Sequence, residues 1–233
     1  MTEKLYYQGM YLREATAEVV EIIDDKVILD RTIFFPEGGG QVGDCGSIDG
    51  FKVIDTQKQI TKHTRALYHK DFPVIQVDTD VAHILEDKNV SLPIGKSVAL
   101  KIDWDRRYKI MRMHSASHIA YHFACKIFGD MHLKGCNIGN GRSRFDFSLP
   151  NNEKLQRELL DKVEDLGNDF ISKNFDIYCE PLADEPEALF WICQEIKMPC
   201  GGMHVKNTSE IGKLSLKRKS QGKTIDRMYV SID

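Results

Sequence analysis

The sequence predicts an α+β protein of two domains: a small β-barrel-like domain over residues 1–103, then an α+β domain over residues 104–233 with helices packed on an antiparallel sheet. Three observations carry this expectation. Short apolar–polar alternations separated by turn residues fill the first hundred positions. At Asp103 the texture changes to a long run of helix formers without Gly or Pro. Strand-like segments then return and close the chain.

Thr16 to Ile23 and Lys26 to Phe35 alternate around Asp24-Asp25, the pattern of a hairpin. A second hairpin is expected at Asp49-Gly50, between Cys45–Ile48 and Phe51–Ile54. Further strands are read at Ala66–Tyr68, Val74–Val77 and Val98–Ile102, and a short helical turn at Asp80–Glu86. From Asp105 to Phe128, Ile110, Met113, Ala120 and Ala124 recur at near-helical spacing, and Gly129 ends the run. Residues 135–150 carry turn residues and then the strand Ser143–Phe147. Asn151 or Asn152 is expected to cap a second helix to Lys173, with Leu155, Leu159, Val163, Leu166 and Phe170 on one face. Strands at Phe175–Cys179, Lys213–Leu216 and Thr224–Val230 complete the reading.

The composition bounds the function classes. Of 233 residues, 42% are hydrophobic and 29% charged, the balance of a globular protein. The net charge of −3 gives no global basic field, so a polyanion would be held by a local patch. No apolar run approaches the roughly 18 residues of a membrane span, and the N-terminus has no signal-peptide core. The six cysteines lack disulfide-framework spacing and read as reduced thiols or metal ligands. Secreted, membrane-embedded, collagenous and disordered classes are set aside, and a cytoplasmic location is expected.

Four features carry chemistry. His114 and His118 stand one turn apart on the first long helix, so both imidazoles can face one ion; His122 extends the same stripe. Cys200-Gly-Gly-Met-His204 places a thiolate and an imidazole around a turn that no Cβ obstructs. Together they offer the donor set that zinc prefers. Residues 115–117 are Ser-Ala-Ser, without the glutamate of the HExxH proteases. The glycine-rich stretch from Phe35 to Gly46 is neither a Rossmann fingerprint nor a Walker loop; it is either a barrel turn or a backbone surface that a substrate approaches. Basic runs flank the metal motifs: Arg106, Arg107, Lys109 and Arg112 before, and Lys213, Lys217, Arg218, Lys219 and Lys223 after. Such runs are commonly a solvated face, but here they are placed to guide a phosphate backbone.

Residues 34–46 (FFPEGGGQVGDCG), 103–120 (DWDRRYKIMRMHSASHIA), 144–147 (RFDF) and 200–212 (CGGMHVKNTSEIG) together resemble, in collinear order, the editing domain of alanyl-tRNA synthetase and its free-standing AlaX relatives, the medium-length AlaX-M type most of all. The resemblance implies that residues 104–233 form a zinc-containing aminoacyl-tRNA editing domain. It also implies that the chain is a trans-editing hydrolase deacylating mischarged Ser-tRNA(Ala), and Gly-tRNA(Ala) as a further substrate. By the same resemblance His114, His118, Cys200 and His204 hold Zn2+, and Ser117 lies near the substrate's amino acid. Gly38, Gly39, Gly40, Gln41 and Gly43 shape the pocket or its interface. The expected tRNA contacts are Arg106, Arg107, Arg112, Lys213, Lys217, Arg218 and Lys219; neither DNA nor a membrane is an expected partner. His132-Leu-Lys-Gly-Cys136 departs from the glutamine and Gly-Ser pair common in the family, so Leu133 and Cys136 are marked for selectivity. The expected catalytic group is water on the zinc ion with no side-chain base; the alternative is an ion that only positions the aminoacyl end. Two rival readings are a small-molecule metallohydrolase and a non-catalytic tRNA-binding module with structural zinc.

Overall fold

A computed structural model of the chain describes residues 1–88, 90, 92–129, 131–150 and 153–233. The fold is α+β, with three α-helices and predominantly antiparallel strands among the described residues. A short N-terminal strand, β1 (Glu3–Lys4), leads into the one-turn helix α1 (Leu5–Gln8). The strands β2 (Glu14–Ile23) and β3 (Lys26–Leu29) form the hairpin expected at Asp24-Asp25, with Asp24 at φ 56°. β4 (Arg31–Thr32) pairs in parallel with β1. β5 (Gly46–Ile48) and β6 (Phe51–Gln59) form the second hairpin, its turn at Asp49-Gly50. β7 (Arg65–Leu67) and β8 (Ile75–Val77) make a small ribbon outside.

Residues 80–86 are a correction. Asp80–Leu85 is a strand, β9, and not a helical turn, because it is held between β3 and β6 by antiparallel ladders on both sides. With β10 (Ser97–Ile102), six of these strands close in the order β10-β2-β3-β9-β6-β5. Their alternation turns Val19, Val27, Leu29, Ile48, Val53, Leu85, Val98 and Leu100 inward as one apolar core.

The helix α2 (Trp104–Phe128) leaves this barrel directly. Asp103 caps it, its carboxylate accepting from the Arg106 amide at 3.0 Å, and Gly129 ends it at φ 71°. β11 (His132–Ile138), β12 (Ser143–Ser148), β16 (Leu214–Gln221) and β17 (Ile225–Ile232) form an antiparallel sheet in the order β11-β12-β17-β16. The helix α3 (Arg157–Ser172) and α2 pack on one face of it, around Ile119, Phe147, Leu160, Val163, Leu214 and Met228. The helix α3 begins later than expected. Gln156 at ψ 138° is its N-cap, Leu155 is buried ahead of it, and Leu166 is exposed; the caps expected at Asn151 and Asn152 lie outside the described residues. A third sheet, β13 (Tyr178–Leu182), β14 (Glu185–Cys193) and β15 (Ile196–Pro199), carries the chain to Cys200. No helix among the described residues is long and apolar enough to cross a membrane.

Candidate metal centre

The helix α2 supplies the rigid half of the site. His114 and His118 stack with ring centroids 5.0 Å apart, and the His118 ring also lies on Trp191 of β14 at 4.8 Å. The other half comes from the turn after β15, anchored where the Cys200 amide donates to the Leu189 carbonyl. A Cβ at Gly202 would collide with the His114 ring, so only glycine lets the turn come this close. Four successive amides of the turn are engaged: Gly202 on Cys200 Sγ, Met203 on Gln41 Oε1, His204 on Met10 Sδ and Val205 on Ser115 Oγ.

These elements bring His114, His118, Cys200 and His204 together, with one donor atom of each within 4.8 Å of the others. Cys200 Sγ lies 3.5 Å from His114 Nε2 and 3.3 Å from His204 Nε2. Each Nδ1 has a partner outside the group. His114 donates to Gln41 Oε1 at 2.8 Å, His204 Nδ1 lies 3.2 Å from Ser115 Oγ, and His118 Nδ1 lies 3.2 Å from Met198 Sδ. Nε2 of His118 is buried with no hydrogen-bond partner. A buried imidazole nitrogen left without a partner is costly unless something else binds it. Burial holds the three imidazoles neutral, far below their usual range, with His118 near 3. It also pushes the Cys200 thiol up to about 12, so a cation that binds here must displace that proton. The group can therefore hold a metal ion on three ready imidazoles and one thiol that loses its proton on binding.

Gln41, missed as a partner of the histidines, is the most informative addition. The turn Gly38–Gln41 closes on itself by two backbone hydrogen bonds, with Gly39 and Gly40 at φ 59° and 87°. It is stitched to the end of β11 through Ile138. This buries Gln41 behind His114, so Gln41 faces the metal centre and not the open pocket. Gly40 packs against Cys136 and Gly43 against the Thr56 backbone.

Beside the centre opens a cleft of about 610 Å³, bounded by α2, β11, the glycine turn and the 200–202 turn. Gly38 and Gly39 line it, as do Ser117, Leu133 and Cys136. Ser117 Oγ is buried and unpartnered there. His122 is one turn beyond His118 and outside the four-residue group, and His132 is exposed.

The basic residues separate. Arg107 is fully buried and cannot contact RNA; its guanidinium is spent on Asp44 and on the Ile33 and Met10 carbonyls. Arg112 holds the Glu210 and Ile211 carbonyls, and Arg218 pairs with the buried Asp226. Arg106 donates to the Gly43 carbonyl. Lys213, Lys217 and Lys219 are exposed.

Residues 5–106 match the family described as tRNA synthetases class II (A), and residues 193–229 match the threonyl and alanyl tRNA synthetase second additional domain. The chain is 33% identical to alanyl-tRNA editing protein AlaX-M of Pyrococcus horikoshii, over all of this chain and 99% of that protein. The AlaX-M protein of Methanosarcina barkeri is 34% identical at the same coverage. An alanine–tRNA ligase of Sulfurisphaera tokodaii is 34% identical over all of this chain but only 26% of its own length. A synthetase-related fold with a buried His and Cys centre is the class so defined. The chain belongs to the AlaX-M family of alanyl-tRNA editing proteins.

Proposed function

We propose that the chain is a zinc-dependent aminoacyl-tRNA deacylase that hydrolyses the ester of serine, and of glycine, misattached to tRNA(Ala). On this reading, residues 1–103 and 104–233 act as two domains with the cleft between them. The observation that carries it is the pairing of the buried donor group with the unpartnered Ser117 Oγ in the adjoining cleft.

Zinc fits the donors. Bond lengths of about 2.3 Å to sulfur and 2.1 Å to nitrogen give S···N edges of about 3.6 Å in a tetrahedron, close to the 3.3 and 3.5 Å spacings here. Bound zinc would supply a fixed positive charge beside the cleft, which favours an ester with its carbonyl oxygen turned towards the ion. Four donors close a tetrahedron, which favours an ion that orders the pocket and positions the substrate. The chain's own contributions are specific. Gln41 and Ser115 fix the rings of His114 and His204. Ser117 offers a buried hydroxyl to that of a seryl substrate; alanine and glycine both lack the group and would leave Ser117 unpaired, so this contact makes serine the preferred substrate over both, with glycine the weaker of the two substrates. Glu187 is the one carboxylate among the described cleft-lining residues, and Lys4 neutralises it, which supports the absence of a side-chain base.

Zinc content and deacylation of Ser-tRNA(Ala), measured in parallel on the wild type and on Cys200→Ala, test this reading. Loss of both together is expected. Full zinc and full activity in Cys200→Ala would refute it.

A further inference from the structure

The four-stranded sheet has a second face that the metal centre does not use. Strand alternation sends Phe145, Phe147, Met228, Val230, Leu214 and Leu216 towards the helices. The opposite face carries Arg144, Asp146, Arg227, Tyr229, Lys217 and Lys219. The ladder sets these in two rungs: Arg144, Tyr229 and Lys217 side by side, then Asp146, Arg227 and Lys219. Arg142, just before β12, lies over the Tyr229 ring at 4.6 Å, and the Arg227 guanidinium is 5.8 Å from the same ring. Among the described residues Asp146 is the one carboxylate on this face, and it is shared by Arg144 and Arg227. That leaves five cations against one anion in a chain whose net charge is −3. Lys219 stands directly opposite Arg227, whose charge Asp146 already takes up, and among the described residues no ion pair engages Lys219.

We propose that this outer face, centred on Tyr229, is a docking surface for the sugar–phosphate backbone of the tRNA, with Tyr229 stacking on an unpaired base. The partner rests on the function proposed above. The charge pattern complements a polyanion, and an aromatic ring on an open four-stranded sheet is a recurrent platform for single-stranded RNA. Position supports it too: β11 is the edge strand of this sheet, and Leu133 and Cys136 of β11, with Phe145 of β12, line the cleft. The cleft and the basic face lie on opposite sides of the sheet and meet at its β11 edge, so an RNA that engages both would cross that edge.

The test is the Kd of an uncharged tRNA(Ala) transcript, measured across a salt series. The proteins are the zinc-loaded wild type, Lys217→Glu with Lys219→Glu, Arg142→Ala, Tyr229→Ala and Tyr229→Phe. Thermal midpoints and zinc content serve as fold controls, and Lys219→Gln alone replaces the double variant if the latter unfolds. The double charge reversal is expected to weaken binding more than about tenfold and to flatten the salt dependence by about two units of slope. Tyr229→Ala is expected to weaken it about fivefold or more at unchanged slope, with Tyr229→Phe restoring it. Folded variants that bind as the wild type does, or a wild type that binds no RNA, would overturn the proposal. Wild type that deacylates Ser-tRNA(Ala) while the variants keep its Kd and slope would refute the surface alone. Binding that is lost in the variants, from a wild type that never deacylates, would refute the editing function and leave the surface standing.

Discussion

The side-chain oxygen of Gln41 accepts a hydrogen bond from His114 Nδ1 at 2.8 Å, and a second from the Met203 amide at 2.9 Å. One buried amide thus joins the glycine turn, the helix α2 and the Cys–His turn, and it fixes the tautomer that leaves His114 Nε2 free for a cation. Gln41→Leu removes the acceptor while keeping bulk. Its affinity for zinc, measured by competition with a chromogenic chelator, is expected to fall about 10- to 100-fold, while the fold is retained.

Asp44 and Arg107 hold the barrel to the helix. Arg107 Nε donates to both carboxylate oxygens at 3.0 and 2.9 Å, and its terminal nitrogens hold the Ile33 and Met10 carbonyls. Both side chains are buried. Asp44→Ala strands a buried guanidinium and is expected to cost about 3–5 kcal/mol, read by urea unfolding. The paired variant Asp44→Ala with Arg107→Met is expected to cost less than the single one.

His83 gives the fold an acid sensitivity of its own. It is fully buried in the barrel, donates from Nδ1 to the Val27 carbonyl and accepts from the Thr32 hydroxyl. Burial lowers it to about 4, only partly offset by the Val27 bond. An unfolded histidine protonates near 6.5, so between pH 6.5 and pH 4 the unfolded chain binds the extra proton. The stabilisation is complete above 6.5 and lost progressively down to 4, a change of about 3 kcal/mol. Urea midpoints at pH 7 and pH 4.5 are expected to differ less in His83→Gln than in the wild type.

The parts of the molecule legible in the sequence are those fixed by local chemistry. The change of texture at Asp103, Gly129 as a stop and the i, i+4 pair His114 and His118 are all local, and so is the Asp24-Asp25 hairpin; the capping role of Asp103 appears only in the structure. What escaped depends on distant partners. Asp80–Leu85 reads locally as a helical turn and becomes a strand because two ladders claim it. The sheet from Tyr178 to Pro199 turns at Asp184 and Gln194, which take positive φ without glycine, so no turn signal marks its hairpins. β11 carries a bulge between Leu133 and Gly135 that breaks its alternation. Arg107 reads as one more surface cation; only the fold reveals Asp44 beside it. Gln41 reads as part of a substrate loop because its contact with His114 spans 73 residues.

The central claim is that the cleft beside the metal centre hydrolyses a serine ester and spares an alanine ester. Release of labelled serine from Ser-tRNA(Ala) by the zinc-loaded chain, against release of alanine from Ala-tRNA(Ala), measures it directly. Rapid serine release with the alanine ester intact is the expected result. Equal rates on both esters, or no release by a folded and zinc-loaded protein, would contradict the account.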